Sequence, residues 1–321
     1  MIIDAHVHSF PQGFLPEPMH EASARRWACG VWPNRDPADI RGKIEPGFTD
    51  PDGEFLIGDL DAAGVDAAAV MMLDHGIGYG KESLVSVRSM MEHYSGLQQK
   101  YKGRLQVFAN VDPRREDALN LLRHGLGELG LRGLKVYPPN GFYVSSDECR
   151  PLLQLCSDLS LPVLVHTAMM TYPLQGYYAN PLYLATVQRQ FPDLKLIFGH
   201  SGYPIWGEEA CLTAEGHENS YLEISQWSWL ARSDPGRLTK VLGRFRDVVG
   251  PHRMLFASDH VPGPRFSGDR SKLPGLLDFM KNLPATAPDH GVSFSEEELE
   301  LIMGGNAARV YGFAPGGGTA R

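Results

Sequence analysis

The sequence predicts an α/β fold in which eight parallel strands alternate with helices and close into a distorted (β/α)8 TIM-type barrel. Short runs of apolar and β-branched residues recur eight times along the chain, and segments with helical spacing separate them. The runs are almost continuously apolar, which is typical of parallel strands that are covered on both faces. The predicted strands are residues 1–8, 66–73, 104–111, 132–138, 161–167, 194–200, 220–225 and 253–259.

The connecting segments have apolar residues three and four positions apart, which indicates one apolar stripe along each helix. The clearest stripe runs from Leu84 to Tyr101, and a second runs from Leu119 to Leu129. Ser295 and Glu298 have the spacing of a capping box, and a last short helix is expected near Asn306. Eight strand and helix units can close on themselves. A doubly wound open sheet is the alternative, but no G-x-G-x-x-G follows the first strand.

One long insertion interrupts this alternation. Residues 10–55 separate the first strand from its helix, and they are rich in proline and contain Trp27 and Trp32. Connections of this length inside a compact domain are usually functional or contain small elements of their own. We therefore expect a single domain over residues 1–315, with the insertion acting as a lid over the barrel mouth. Residues 316–321 are expected to form a disordered tail.

Composition excludes several classes of function. The 321 residues carry a formal net charge of −8, which disfavours binding to nucleic acid. No apolar run approaches the roughly 20 residues of a membrane span, and the N-terminal residues do not resemble a secretion signal. These features favour a cytoplasmic protein. The four cysteines are scattered along the chain, and we expect them to be reduced.

Metal-ligating residue types follow several of the predicted strands. His6 and His8 are two apart on the first strand, so their side chains are expected to share the barrel interior. His166, His200 and Asp259 end the fifth, sixth and eighth strands, and the C-terminal ends of barrel strands lie on one rim. Imidazole and carboxylate ligands suit Zn²⁺ and also Mn²⁺. We expect one divalent ion, preferably Zn²⁺, on His6, His8, His166 and Asp259.

The motifs DAHVH, GLKVYPPN, LPVLVHT, LKLIFGHSGYP, LFASDHVPGP and GGNAARVYGF occur in this order between Ile2 and Phe313. Together they resemble the amidohydrolase superfamily, and more narrowly its amidohydrolase-related group, which includes aminocarboxymuconate semialdehyde decarboxylase. The resemblance implies a barrel with the same four metal ligands and a catalytic His200 just outside them. Lys135 lies where binuclear members carry a carbamylated lysine that bridges two metals.

Three roles remain open for Lys135: a bridging carbamate, a contact to a substrate anion, or an ammonium held by Asp4 or Glu223. Asp4 either supports a ligand histidine or makes a hydrogen bond at the start of its strand. Asp74 and His75 close the second strand, where they either reach the pocket or form a surface turn; we expect the surface turn. Aromatic residues that follow strand ends are candidates for the pocket wall, namely Tyr137, Tyr172, Trp206, Trp227 and Trp229.

Two functions fit these residues. The first is a metal-dependent hydrolase of an amide, lactone or ester, in which the metal activates water, Asp259 transfers its proton and His200 stabilises the oxyanion. The alternative is a metal-dependent non-oxidative decarboxylase of an aromatic or muconate-type acid, with Arg41 or Arg265 holding a carboxylate. For either function, Lys135, Tyr137, Trp206 and Arg265 are the candidate substrate-binding residues. The expected partner is a small-molecule substrate, and a homodimer is expected from the habits of such barrels.

Overall fold

A computed structural model describes residues 1–30, 33–265 and 272–314. Its eight strands form one parallel sheet in the order β1 to β8. Each strand lies inside one of the predicted apolar runs. The strands are β1 (Ile3–Val7), β2 (Ala67–Met71), β3 (Leu105–Asn110), β4 (Gly133–Val136), β5 (Val163–His166), β6 (Leu196–Gly199), β7 (Ser220–Glu223) and β8 (Met254–Leu255).

The sheet curves until β8 meets β1. The Asp259 N–H donates to the His6 carbonyl at 2.9 Å, and Val7 and His260 form a parallel bridge. The barrel is therefore nearly closed, with β8 as its shortest strand. The predicted (β/α)8 barrel is confirmed, and the open sheet is wrong.

Helices lie between the strands and cover the outside of the barrel. The α-helices are α1 (Glu17–Cys29), α2 (Pro37–Gly47), α3 (Glu54–Ala63), α4 (Gly76–Tyr79), α5 (Val87–Lys100), α6 (Ala118–Arg123), α7 (Arg150–Asp158), α8 (Leu184–Gln190), α9 (Gly207–Glu215), α10 (Leu230–Ser233), α11 (Pro235–Val249), α12 (Leu273–Thr286), α13 (Glu296–Glu300) and α14 (Asn306–Tyr311). Two π-helical turns, His124–Glu128 and Leu301–Gly305, extend α6 and α13.

Capping residues set where the predicted helices begin. Ser86 accepts a hydrogen bond from the Ser89 N–H, so α5 starts at Val87, and Leu84 lies ahead of the helix with 91% of its surface exposed. The capping box of Ser295 and Glu298 is confirmed.

The barrel interior is closed from below by the C-terminal helix. Inward-facing residues of the strands, including Phe108, form one buried cluster with residues of α14. The Tyr311 ring packs 4.8 Å from the Phe108 ring, and its hydroxyl donates to the Ala5 carbonyl at 3.3 Å. Because this end is filled by side chains, only the C-terminal ends of the strands are left for a site.

The predicted insertion contains α1 and α2, and α3 begins at its end. Its two ends are held together at the barrel, where Phe10 bridges Thr49 and the Asp50 N–H donates to the Phe10 carbonyl at 3.0 Å. Trp32 and the predicted tail at 316–321 lie outside the described residues. No helix in the described ranges has the length and apolar character needed to cross a membrane.

Asp50 ties the end of the insertion to β1 and α3. Its buried carboxylate accepts hydrogen bonds from the Ser9 hydroxyl and from the N–H groups of Phe55 and Leu56, at 3.1–3.3 Å. Asp50→Ala should lower the free energy of unfolding by about 2 kcal/mol, because buried donors lose their acceptor. Urea denaturation measures the change. Exposed Asp52→Ala is the control and should cost about 0.5 kcal/mol or less; equal effects would contradict the anchoring role.

Candidate metal centre and active site

Histidines and carboxylates from five strands meet at the C-terminal rim of the barrel. His6 lies on β1 and His8 directly follows it, His166 ends β5, and His200 follows β6. These histidines are all buried, whereas the Asp259 side chain remains 22% exposed. The structure therefore brings the sequence-predicted histidines and Asp259 to one rim.

The His6 ring is oriented by Glu223, which is fully buried on β7. His6 Nδ1 lies 2.8 Å from Glu223 Oε1, so this nitrogen carries the proton that the carboxylate accepts. Burial lowers the pKa of His6 well below its ordinary value. The ring is consequently neutral and has its lone pair on Nε2, which faces Asp259.

His8 makes a contact that requires a positive charge. Its Nδ1 lies 2.9 Å from the Met71 carbonyl, which can only accept a hydrogen bond, so Nδ1 carries a proton. Its Nε2 lies 3.1 Å from Asp259 Oδ1. A neutral His8 would direct a lone pair at a carboxylate, so either a second proton or a metal cation must relieve the repulsion.

His166 and His200 form a pair beside these groups. His166 Nε2 donates to the Ala168 carbonyl at 3.1 Å, which leaves the lone pair on Nδ1, 2.9 Å from His200 Nε2. His200 Nδ1 lies 2.6 Å from the Ser225 hydroxyl. The Ser225 hydroxyl donates to Glu223 at 2.8 Å, so His200 Nδ1 carries the proton of the Ser225 contact. Burial lowers the pKa of His200 to about 3, and the neutral ring therefore turns its Nε2 lone pair toward that of His166.

These donors fit a divalent metal. One ligand atom from each of His6, His8 and Asp259 lies within 4.8 Å of the other two. Asp259 Oδ1 is 3.1 Å from His8 Nε2 and 3.7 Å from His6 Nε2. Two ligand atoms at about 2.1 Å from one ion lie about 3.0 Å apart at a right angle and about 3.4 Å apart at the tetrahedral angle. His166 lies beside these three residues, and its Nδ1, which has the lone pair, is 2.9 Å from His200 Nε2.

The backbone after three strands is strained. His200, Gln226 and Asp259 have φ angles of 66°, 60° and 54°, in the left-handed region that non-glycine residues rarely adopt. Such residues cost about 1–3 kcal/mol each and cluster at functional sites. Gln226 Nε2 also donates to Asp259 Oδ2 at 3.3 Å.

Asp259 is held in its charged form. Burial opposes the charge, but the contact with His8 keeps the pKa of Asp259 well below its ordinary value. The carboxylate is therefore negatively charged and ready to bind a cation.

Lys135 lies among these groups. Its Nζ is 3.3 Å from His6 Nε2, and burial lowers its pKa to about 8, although Glu223 and Asp259 oppose the shift. Among the described residues no carboxylate oxygen lies within 4.0 Å of Lys135 Nζ, so the expected ion pair with Asp4 or Glu223 is not formed. The bridging carbamate and the substrate contact stay predictions.

Asp4 serves the backbone. Its carboxylate accepts from the Ser258 hydroxyl, from the Ser258 N–H at 3.0 Å and from the His6 N–H at 3.2 Å. Burial raises its pKa to about 7. The β1–β2 register shifts between Asp4 and Val7, so side chains along β1 do not alternate strictly between the two faces of the sheet. The prediction that Asp4 supports a histidine assumed strict alternation. Glu223, and not Asp4, contacts the side chain of His6, at 2.8 Å from Nδ1.

A cavity of about 430 Å³ opens onto Asp259. Most of its wall is apolar or aromatic, and half of its lining comes from the predicted insertion. The lining residues are Phe10, Leu15, Met19, Trp27, Phe48, Trp229, Asp259, His260, Val261 and Lys272.

The candidate substrate-binding residues have different positions. The Tyr137 ring packs 4.4 Å from the His166 ring, and the Arg265 guanidinium lies 5.4 Å from the Trp27 ring. Arg41 is ion-paired with Glu17 and Glu21 on α1. Trp206 precedes α9 and is not among the described residues that line this cavity.

The expectation of a surface turn at Asp74 and His75 is wrong. Both residues are buried. Arg115 makes two hydrogen bonds to the Asp74 carboxylate, at 2.7 and 2.6 Å, and His75 Nδ1 lies 3.0 Å from Asn140 Oδ1. The arginine that compensates the buried charge of Asp74 lies about 40 residues further along the chain, so the sequence around Asp74 does not reveal it.

Sequence reasoning did not assign the role of Glu223. A glutamate at the end of a buried strand in a predicted barrel is the available signal, because such a charge needs a partner inside the barrel. Trp27 and Phe48 lie in the insertion that sequence analysis expected at the barrel mouth, whereas the contribution of Lys272 to the cavity had no comparable signal in the sequence.

Comparison with known proteins gives the family. The amidohydrolase family model matches residues 3–313. No curated protein matches the chain. Solved structures with similar folds include 5-carboxyvanillate decarboxylase from Sphingomonas paucimobilis, with 17% identity, a TM-score of 0.67 and coverage of 98% of this chain and 99% of that chain.

Two further structures are similar over nearly their whole lengths. Dihydroxybenzoic acid decarboxylase from Polaromonas sp. JS666, solved with bound manganese, is 17% identical, with a TM-score of 0.64 and coverage of 97% of this chain and 96% of that chain. A putative 2-pyrone-4,6-dicarboxylic acid hydrolase from Pseudomonas putida is 18% identical, with a TM-score of 0.61 and 98% coverage of both chains. At these identities the structures bear on the fold alone. The family model matches nearly the whole sequence, and this chain belongs to the amidohydrolase family.

Proposed function

We propose that the protein is a divalent-metal-dependent, non-oxidative decarboxylase of small hydroxylated aromatic carboxylic acids. The observation that carries the proposal is the cavity at Asp259, whose wall is aromatic and apolar while metal-type donors meet at the adjacent rim. Two of the similar solved structures are decarboxylases of such acids. Their likeness supports decarboxylation better than the hydrolysis that sequence analysis puts first.

We infer that His6 Nε2, His8 Nε2, His166 Nδ1 and Asp259 hold the ion. In each of the three histidines a carbonyl or carboxylate holds the proton on the other ring nitrogen, which is the usual arrangement of metal-binding histidines. Three imidazoles and a carboxylate suit Mn²⁺ as well as Zn²⁺, and the manganese in a similar structure favours Mn²⁺. Such an ion supplies a Lewis acid that anchors and polarises an oxygen of the substrate.

The cavity wall favours loss of CO₂. A carboxylate carries a localised charge that water stabilises strongly, whereas the charge left on an aromatic ring after the C–C bond breaks is delocalised. Surroundings such as Phe48, Trp27 and Trp229 therefore raise the energy of the reactant more than that of the transition state. In this proposal the insertion acts as the lid that keeps water away from the ring.

Asp259 is the residue that we assign to proton transfer. Its carboxylate, ionised at neutral pH, accepts the proton of the substrate's phenolic hydroxyl and delivers it to the ring carbon that bears the carboxylate. The bond to the carboxylate then breaks, its electron pair restores the aromatic ring, and CO₂ leaves. Water returns a proton to the phenolate, so one proton is consumed for each CO₂ released.

Hydrolysis is the second candidate, favoured by the similarity to the putative pyrone dicarboxylic acid hydrolase. Asp259 would then take a proton from the attacking water. His200 is less suited to the oxyanion role in this arrangement, because the neutral ring carries its proton on Nδ1 toward Ser225 and has none on Nε2 to donate.

Glu223→Gln should weaken Mn²⁺ binding by about 10- to 100-fold, because the charge that fixes the His6 tautomer is lost. Titration of the metal-free protein with Mn²⁺ measures the affinity, and circular dichroism checks folding. Exposed Glu218→Gln on the loop before β7 is the control and should bind Mn²⁺ like the wild type. A folded Glu223→Gln protein with unchanged affinity would contradict the role given to Glu223.

The reaction class is tested directly by product analysis. The Mn²⁺-loaded protein is incubated with 2,6-dihydroxybenzoate, 5-carboxyvanillate and 2-pyrone-4,6-dicarboxylate in D₂O, and separately in ¹⁸O-labelled water. The proposal requires one CO₂ per turnover, one deuterium on the ring carbon and no activity after chelation of the metal. Product that contains ¹⁸O in a new carboxyl group, without CO₂, would support hydrolysis instead.

Asp259→Asn should lower kcat for decarboxylation by about 10²- to 10⁴-fold, since the amide cannot carry the proton to carbon. The rate is measured with saturating Mn²⁺, and bound metal is quantified in the same sample. Asp278→Asn, a change on the exposed face of α12, should leave kcat unchanged. A metal-loaded Asp259→Asn protein that retains wild-type kcat would exclude Asp259 as the proton carrier.

A further inference from the structure

Lys272 supplies a cation to the wall of the active-site cavity. Its Nζ lies 3.6 Å from the centroid of the Trp229 ring, and both residues line the cavity that contains Asp259. No carboxylate oxygen of the described residues lies within 4.0 Å of Lys272 Nζ. By contrast, Lys81 and Lys100 elsewhere on the surface are paired with carboxylates.

The other two ionisable residues of the cavity lining, His260 and Asp259, do not offer a cation to a ligand. His260 Nε2 is engaged by the Asp59 carboxylate at 2.7 Å, and Asp259 is negative. Helix α12 begins at Leu273, directly after Lys272, so the positive end of its dipole adds to the lysine charge. An ammonium that rests on an aromatic face keeps donors free for an anion.

We propose that Lys272, placed on the Trp229 ring, is the specificity-determining residue that binds a second anionic substituent of the aromatic acid. The inference rests on the proposed function, in which the ion held by His6, His8, His166 and Asp259 anchors the reacting end of the substrate. A substrate with two acidic groups then meets a cation at each of them. A substrate with one acidic group uses only the first.

This assignment separates two possible roles of Lys272. If the lysine bound the reacting carboxylate, its removal would weaken the binding of all aromatic acids to the same extent. If it binds a second group, its removal weakens the binding of diacids and leaves the binding of monoacids unchanged. The aromatic surface of Trp229 fixes where the ammonium lies, so loss of that ring should have a smaller effect of the same kind.

The test compares isophthalate with benzoate, two unreactive probes that differ by one carboxylate. Their affinities are measured by isothermal titration calorimetry, with and without Mn²⁺, for wild type, Lys272→Gln, Lys272→Arg and Trp229→Leu. Lys272→Gln should lose about 10- to 100-fold in affinity for isophthalate, the range of a charge-assisted hydrogen bond, and less than about 3-fold for benzoate. Lys272→Arg should restore most of the isophthalate affinity.

Lys281→Gln, on the exposed side of the same helix, is the matched control and should change neither affinity. Equal losses for both probes in Lys272→Gln, or equal affinities of the wild type for both probes, would overturn the inference. Binding is measured without turnover, so its outcome is separate from that of the proposed function. Selective isophthalate binding without CO₂ release would support the Lys272 subsite and contradict decarboxylation. CO₂ release without a preference for isophthalate would support decarboxylation and contradict the Lys272 subsite.

Discussion

The hydrogen bonds of the buried Glu223 carboxylate determine the arrangement of the whole site. Its two oxygens accept from His6 Nδ1, from the His200 N–H and from the hydroxyl and N–H of Ser225. These bonds join the ends of β1, β6 and β7. A buried carboxylate is costly without partners, so the fold that satisfies Glu223 also directs the free nitrogen of His6 toward Asp259. The Ser225 hydroxyl also accepts from His200 Nδ1 at 2.6 Å, which ties the His200 ring to the same carboxylate.

The chemistry that we propose depends on two unlike surroundings that meet at Asp259. In the proposal, polar donors on the barrel rim hold a cation, and the aromatic wall, to which residues 10–55 contribute half of the cavity lining, excludes water from the substrate ring. The strained backbone at Asp259 places the carboxylate between them. Strain of this kind persists because the surrounding hydrogen bonds, such as the one from the Asp259 N–H to the His6 carbonyl, compensate for it.

The sequence predicts the barrel and the rim histidines because both depend on local pattern. Buried parallel strands are apolar throughout, and the residue that ends a strand must lie on the rim. The role of Asp4 and the burial of Asp74 could not be predicted in this way. The first depends on a register shift in β1, and the second on an arginine far along the chain. The cavity wall is also non-local, since Trp27 and Lys272 lie far apart in the sequence and both line the cavity.

Anomalous diffraction from crystals of the Mn²⁺-loaded protein tests the central claim most directly. The account predicts one manganese peak per chain, bonded to His6 Nε2, His8 Nε2, His166 Nδ1 and Asp259 at about 2.1–2.3 Å, with the Glu223 to His6 hydrogen bond retained. Two peaks bridged by a modified Lys135, or a single peak away from His6 and His8, would contradict it.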